Sequence, residues 1–196
     1  AVITGGGRGL GRSYALLLAG RGARVVVNDL GGATRGGEDD ADQSVAQSVV
    51  DEIRAAGGEA IANTDSVATL EGGRAIIQAA LDEWGRIDIL IHNAGNVRYG
   101  ALRDVSYDDL KSVVDVHLMG AFHVVQPAFG PMCDAGYGRI VLTSSVGGLY
   151  GNINCVNYGM SKSGMLGLSN IAALEGEAHN VKSNLIVPAA VTRMAE

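Results

Sequence analysis

The sequence predicts an α/β fold, a doubly wound parallel sheet covered by helices on both faces in three layers. Three observations point to it. Short β-branched runs alternate with longer helical segments from one end of the chain to the other. These runs are apolar at nearly every position rather than at alternate ones, as strands covered on both faces are. A glycine-rich turn follows the first run directly and opens into an apolar helix.

In chain order, the first strand spans Ala1–Thr4 and the first helix Gly9–Arg21. Arg24–Asn28 is the second strand. The helix over Ala41–Ala56 is stopped by Gly57 and Gly58, as glycine just past a helix end does. Glu59–Asn63, Thr69–Trp84 and Ile87–His92 continue the alternation. Tyr107–Ala135 is long enough to bend or to be two helices; Ser106 can cap it, with Asp108 and Asp109 in its positive first turn. A strand over Arg139–Thr143, a helix over Asn157–His179 and a strand over Ser183–Val187 complete the series. Such units cross over right-handed. With no repeat, low-complexity tract or linker, one domain over 1–196 is expected. The chain opens inside one apolar strand and stops just after another, so both termini are expected to be incomplete.

Composition narrows the function classes. Of 196 residues, 47% are hydrophobic and 18% charged, which suits a packed core and excludes disorder. The 29 glycines show no triplet period, which excludes collagen. A net charge of −6, a pI near 5.2 and the lack of a Lys/Arg cluster argue against a nucleic-acid partner. No apolar stretch approaches the roughly 20 residues that span a bilayer, so no membrane partner is expected. Cys133 and Cys155 have neither metal nor redox spacing, and read as reduced thiols of a cytoplasmic protein. No metal site is expected.

In such a sheet ligands bind beyond the carboxyl ends of the strands, where the strand order reverses. The first of these loops reads Thr4-Gly5-Gly6-Gly7-Arg8-Gly9-Leu10-Gly11. Glycines there let the chain turn and approach a pyrophosphate, and the helix that follows offers free N–H groups and partial positive charge. Gly5, Arg8, Gly9, Leu10 and Gly11 are the candidate contacts. Asp29 closes the second strand, 18 residues beyond Gly11. A carboxylate there accepts from both hydroxyls of an adenosine ribose and repels a 2′-phosphate, favouring NAD over NADP. The plainer alternative is an Asp that caps the turn before Gly31 and Gly32.

Further on, Tyr158 and Lys162 stand four apart on one helix face, and Ser145 precedes Tyr158 by 13 residues at a strand end. That grouping suits exchange between a ketone and an alcohol. Hydride addition makes an alkoxide that needs a proton, and a phenol is made more acidic by a nearby ammonium and an oxidised nicotinamide. Ser145 would hydrogen-bond the substrate oxygen. Ser145, Tyr158 and Lys162 form the candidate catalytic set.

The spacing Thr-Gly-x-x-x-Gly-x-Gly over Thr4–Gly11, the run His92-Asn93-Ala94-Gly95, and Ser145 with Tyr158-x-x-x-Lys162 together resemble the short-chain dehydrogenase/reductase family, on a Rossmann fold. The resemblance covers nearly the whole chain. It implies that Thr4 braces the glycine loop, that Lys162 also holds the nicotinamide ribose, and that Asp65, with Ser66, meets the adenine. By spacing alone Asp65 or Ser66 serves equally as a helix cap. Asn93 would tie neighbouring strands and Ala94 and Gly95 would leave room for a ribose, while His92 reads as a structural replacement. A basic residue at Arg8 often accompanies NADP in the family, but Arg8 can serve the pyrophosphate equally well, and Asp29 decides for NAD. His117 stands where the family usually has an asparagine of the proton relay, and either joins that relay or packs. Pro188-Ala189-Ala190-Val191-Thr192 resembles the family's Pro-Gly-x-x-x-Thr, so Thr192 and the Val187 backbone would hold the carboxamide. The substrate lid and last strand that follow in the family are not in the sequence.

Asn28-Asp29-Leu30-Gly31-Gly32, the polar stretch after it, His117 and Tyr150-Gly151-Asn152 resemble the multifunctional-enzyme type 2 dehydrogenase subgroup. That implies a 3-hydroxyacyl-CoA or 17β-hydroxysteroid as small-molecule substrate. It also implies a homodimer or homotetramer, through outward apolar residues such as Phe122, Leu166, Leu168 and Ile171. Two other readings are a non-catalytic dinucleotide-binding regulator and an epimerase with transient oxidation. The first would be expected to lack one of the three catalytic candidates, and the second lacks a sugar-nucleotide domain.

Overall fold

A computed structural model of the protein describes residues 1–32 and 42–188. Its strands are β1 (Val2–Thr4), β2 (Val25–Asn28), β3 (Ala60–Asn63), β4 (Ile89–His92), β5 (Gly138–Thr143) and β6 (Val181–Ile186). They pair in parallel in the order β3-β2-β1-β4-β5-β6. The order reverses between β1 and β4, whose register sets Thr4 beside His92. The crevice beyond that pair is where a doubly wound sheet binds its ligand.

The helices are α1 (Gly9–Ala19), α2 (Ser44–Ala55), α3 (Leu70–Trp84), α4 (Tyr107–Val114), α5 (Gly120–Asp134), the short α6 (Val146–Leu149) and α7 (Val156–Gly176). The continuous apolar character of the strands follows from a core on each face. Val2, Val26, Leu90 and Ile140 pack with Ile76 and Ile77 of α3, Val124 and Met132 of α5, and Met165 of α7. Ile3, Val25, Val27 and Ile91 turn the other way, onto Ala15 of α1 and Val49, Val50 and Ile53 of α2. Period-2 alternation sends successive side chains to opposite faces, and both faces are dry.

Local chemistry places the ends. Thr69 caps α3 by accepting from the Gly72 N–H at 3.0 Å, and Gly85 ends it with φ 70°. Neither Asp65 nor Ser66 caps that helix, because Thr69 stands at its first turn. Ser106 accepts from the Asp109 N–H at 3.0 Å and caps α4, with Asp108 and Asp109 in the first turn as expected. Asp42 accepts from the Ser44 N–H at 3.0 Å and so starts α2 at Ser44; the expected start at Ala41 lies outside the described residues.

The long helical segment is neither simply bent nor broken. α4 runs into a π turn, Asp115–Met119, which runs into α5. Such a turn inserts one residue into the helix and shifts the carbonyls out of the i→i−4 ladder. It buries His117 completely.

Candidate active site

The glycine loop has the geometry of an anion cradle. Gly5 has φ 62°, and a Cβ there would lie 2.8 Å from the Ala94 Cα. On Gly11 a Cβ would overlap the Gly5 carbonyl oxygen and come within 2.7 Å of the Asn93 amide nitrogen. Arg8, the N-cap of α1, makes no side-chain cap, so the first N–H groups of α1, with Leu10 in that turn, stay available to a ligand. Asn93 Nδ2 donates to the Thr4 carbonyl at 3.3 Å and the Gly5 carbonyl at 3.1 Å, tying β4 to the loop. The residues present fit a dinucleotide pyrophosphate.

Asp29 reaches back to this loop. One carboxylate oxygen accepts from the Gly7 N–H and the other from the Gly31 N–H, both at 2.9 Å. It therefore bonds within its own turn and also joins that turn to the cradle. Arg8 donates to the carbonyls of Gly32 at 3.2 Å and Gly31 at 3.4 Å, so its guanidinium lies over the same turn rather than at the α1 end. Asp65 is exposed after β3 and accepts from Asn63 Nδ2 at 2.7 Å; Ser66 accepts from the Ala68 N–H at 3.3 Å. Val187 lies just past β6, and Thr192 lies outside the described residues.

The catalytic candidates converge where β5, α6 and α7 meet. Lys162 is buried and donates from Nζ to the Thr143 carbonyl at 2.6 Å, while Ser144 Oγ donates to the Lys162 carbonyl at 2.8 Å. The Lys162 ammonium lies 5.5 Å from the centre of the Tyr158 ring. Ser145 accepts from the Gly147 N–H at 3.2 Å and hydrogen-bonds Tyr158. The Tyr158 N–H donates to Asn157 Oδ1 at 2.8 Å, and Asn157 Nδ2 donates to the Arg98 carbonyl at 3.0 Å, which holds the start of α7 against the loop after β4. Ser144 and Ser145 thus part as the sequence separation suggests. The first faces the α7 backbone and the second faces the phenol.

Electrostatics differ from the expectation of a phenol made acidic by its neighbour. Burial pushes the Tyr158 phenol up, with the Ser145 hydrogen bond pulling against it. Burial also lowers the Lys162 ammonium to about 7. An ammonium that is itself desolvated loses part of its charge near neutrality. On balance the chain's own residues thus raise the phenol despite that hydrogen bond, and the positive charge of a bound nicotinamide would favour the phenolate.

Two histidines behind this site were given small parts by the sequence. His92 is fully buried between Thr4 Oγ1, 3.0 Å from Nδ1, and the His117 carbonyl, 3.1 Å from Nε2. Burial brings it to about 3, so it is neutral. His117 stands edge-on to Tyr158 with ring centroids 5.3 Å apart. Its Nε2 lies 2.8 Å from the Asn96 carbonyl, and its Nδ1 has no hydrogen-bond partner among the described residues. A Cβ on Gly95 would lie 2.5 Å from His117 Cε1, so the space beside Gly95 is filled by this ring. Sequence reasoning missed Asn96, Asn157 and Thr143; no spacing signal marks them, because their partners lie in elements distant along the chain.

Known proteins resemble the chain over its whole length. A family model described as short chain dehydrogenase matches residues 1–196. The peroxisomal multifunctional enzyme type 2 of Drosophila melanogaster is 52% identical over 196 residues, covering 100% of this chain and 32% of that protein. The chain thus spans about a third of that relative's length. A crystal structure of a short chain dehydrogenase from Mycobacterium avium matches with TM-score 0.89 and 41% identity, over 100% of this chain and 68% of the other. The structure of an NAD+-bound xylitol dehydrogenase matches with TM-score 0.86 and 29% identity, over 95% and 68% of the two chains. The chain belongs to the short-chain dehydrogenase family.

Proposed function

We propose that the chain is an NAD-dependent dehydrogenase unit that oxidises the secondary alcohol of a (3R)-3-hydroxyacyl-CoA to the ketone. The observation that carries the chemistry is the convergence of Ser145, Tyr158 and Lys162 beside the glycine cradle. Bound NAD supplies the hydride acceptor. Gly5, Gly9, Leu10 and Gly11 hold its pyrophosphate, Asp29 its adenosine ribose, Asp65 and Ser66 its adenine end. Ala94 borders the nicotinamide ribose, Gly95 makes room for the His117 ring rather than for the ribose, and Val187 with Thr192 holds the carboxamide. Asp29 favours the unphosphorylated ribose, since a 2′-phosphate would face a carboxylate.

Tyr158 takes the hydroxyl proton of the alcohol, and Ser145 donates a hydrogen bond to the same oxygen and fixes its position. Lys162 holds the ribose hydroxyls. The loops after β4 and β5 border an open cleft of about 530 Å³ whose lining is mainly apolar, from Ala101, Leu102, Ile153, Cys155 and Val156, with Arg103 and Asn152 also on it. An apolar cleft suits an acyl chain. The motifs shared with the multifunctional-enzyme type 2 subgroup, whose name the Drosophila relative bears, support the acyl-CoA substrate.

Among the described residues no helix is long and apolar enough to cross a membrane. The Drosophila relative and several others have peroxisomal names, so a peroxisomal location replaces the cytoplasmic expectation for a full-length protein of that type. Assembly as a homodimer or homotetramer through α5 and α7 completes the proposal.

The test is turnover by the full-length protein. A (3R)-3-hydroxyacyl-CoA with NAD should be oxidised, and Tyr158→Phe should lower kcat by a factor of about 10²–10⁴, the size of a general base's contribution, while NAD still binds. Oxidation of steroid or sugar alcohols with no acyl-CoA activity would remove the substrate assignment. A Tyr158→Phe variant with undiminished turnover would remove the mechanism.

A further inference from the structure

The end of β4 and the π turn are joined by hydrogen bonds whose directions the structure fixes. Thr4 Oγ1 accepts from the Asn93 N–H and the Ala94 N–H, both at 3.1 Å. A hydroxyl oxygen has two acceptor sites, and these two bonds fill them. Its own proton is then donated to His92 Nδ1, 3.0 Å away. With Nδ1 accepting, the neutral ring carries its proton on Nε2 and donates it to the His117 carbonyl at 3.1 Å. That carbonyl belongs to the π turn, where the helical ladder is out of step, and the ring of the same residue stands against Tyr158. At the opposite end, Asn93 holds the Gly5 carbonyl, and Ala94 is the close neighbour of Gly5.

We propose that His92 is a positioning residue that links the dinucleotide cradle to the turn beside the catalytic tyrosine, with its proton on Nε2. Through Thr4 it holds the backbone of Asn93 and Ala94 under the cradle. Through the His117 carbonyl it holds the π turn that sets the ring next to Tyr158. Each ring nitrogen serves one end, so the two ends can be separated by substitution. An asparagine amide reaches the position of Nδ1 and a glutamine amide that of Nε2. His92→Asn keeps an acceptor for Thr4 and abandons the His117 carbonyl. His92→Gln keeps a donor for that carbonyl and leaves the Thr4 hydroxyl unpaired.

The role as a link rests on the proposed dehydrogenase reading only where turnover is the readout. In the full-length protein, ¹⁵N NMR of the histidine rings should show His92 with protonated Nε2 and unprotonated Nδ1 throughout pH 5–8. In His92→Asn, NAD affinity should stay within about twofold while kcat falls about tenfold, as a small misplacement beside a reacting group causes. In His92→Gln the reverse is expected, with NAD bound about tenfold more weakly, the scale of one buried hydrogen bond, and kcat at saturating NAD nearly kept. Circular dichroism and thermal midpoints of both variants separate these effects from loss of fold.

Equal losses in both variants, no loss in either, or an Nδ1-protonated ring would overturn the proposal. If the wild type turns over none of the tested alcohols, the function assignment fails by itself. The link is then decided by NAD affinity and by the Tyr158 phenol titration followed by ¹³C NMR, which His92→Asn should shift and His92→Gln should not.

Discussion

Asp29 shows how much one side chain can be asked to do. Both its oxygens already accept backbone N–H groups, from Gly7 and Gly31. Asp29→Asn keeps one acceptor and sets an NH₂ group against the other N–H, so the cradle loosens while the charge disappears. The preference for NAD over NADP should fall at least about tenfold, because two charges about 4 Å apart interact by up to roughly 4 kcal/mol near a protein surface. Dissociation constants for both dinucleotides check this, and an unchanged ratio would reduce Asp29 to the turn-capping residue that its sequence also allows. His92 gives a pH dependence. Its folded value is about 3 against an ordinary 6.5, so between these the unfolded chain binds more protons. Its stabilising effect is complete above pH 6.5 and is lost as pH falls toward 3, and His117, lowered for the same reason, acts in the same direction. At pH 5 the loss from His92 alone should be about 2 kcal/mol, read by urea unfolding at pH 7.5 and 5 and made smaller in His92→Asn. Ser145, Tyr158 and Lys162 were readable as candidates because their spacing along the chain is also their spacing on a strand end and a helix face. His117 was readable only as either a relay member or a packing residue, and His92 only as a structural replacement, since the contact that joins them runs between β4 and a turn 25 residues later.

Elements show where local rules end. The cap at Ser106 and the stop at Gly57 follow from residue chemistry, and the sequence located both; Thr69 instead caps the helix that the sequence began at that residue, in place of Asp65 or Ser66. The π turn and α6 had no local signal, because each exists to satisfy partners elsewhere. Ser145 caps α6 while facing Tyr158, and the π turn takes its shape from the buried ring and carbonyl of His117. Packing of α7 on β5 has a cost at Lys162, whose ammonium is buried with one carbonyl partner, from Thr143. Its folded value of about 7 lies below the ordinary 10.5, so the unfolded chain binds more protons between them. The penalty is complete below pH 7 and is relieved as pH rises toward 10.5. Lys162→Met should therefore raise the thermal midpoint at pH 6 by a few degrees, roughly 1–2 kcal/mol, as replacing a buried charge by an apolar group of similar length often does. The gain should shrink by pH 9.5, and turnover should be lost at both. Scanning fluorimetry at the two pH values gives the comparison, and a variant less stable than the wild type at pH 6 would show that the Thr143 bond outweighs the desolvation.

At the scale of the whole molecule, the doubly wound parallel sheet was legible because alternating apolar runs and helices leave few topologies with right-handed crossovers. The outer surface was less so. Phe122 of α5 and Leu166 and Ile171 of α7 are 45%, 43% and 52% exposed on the face away from the sheet. Leu168, expected among them, is instead partly buried against the core, because it lies on the side of α7 that faces the strands. Three large apolar side chains on two neighbouring helices are costly to leave in water, at about 25 cal/mol for each Å². A stable pairing needs about 800 Å² from each partner, and α5 with α7 offers 15 and 21 residues of helix for it. The full-length protein should sediment as a dimer or tetramer, and its thermal midpoint should rise with protein concentration, because association stabilises only the folded chain. Leu166→Glu combined with Ile171→Glu places two carboxylates at the centre of that face, opposite their symmetry mates if the contact is isologous. The double variant should sediment as a monomer whose midpoint no longer depends on concentration, with NAD affinity unchanged, because the cradle lies at the far end of β1. A wild type that stays monomeric at tens of micromolar would mean that another segment of the full-length chain covers these helices.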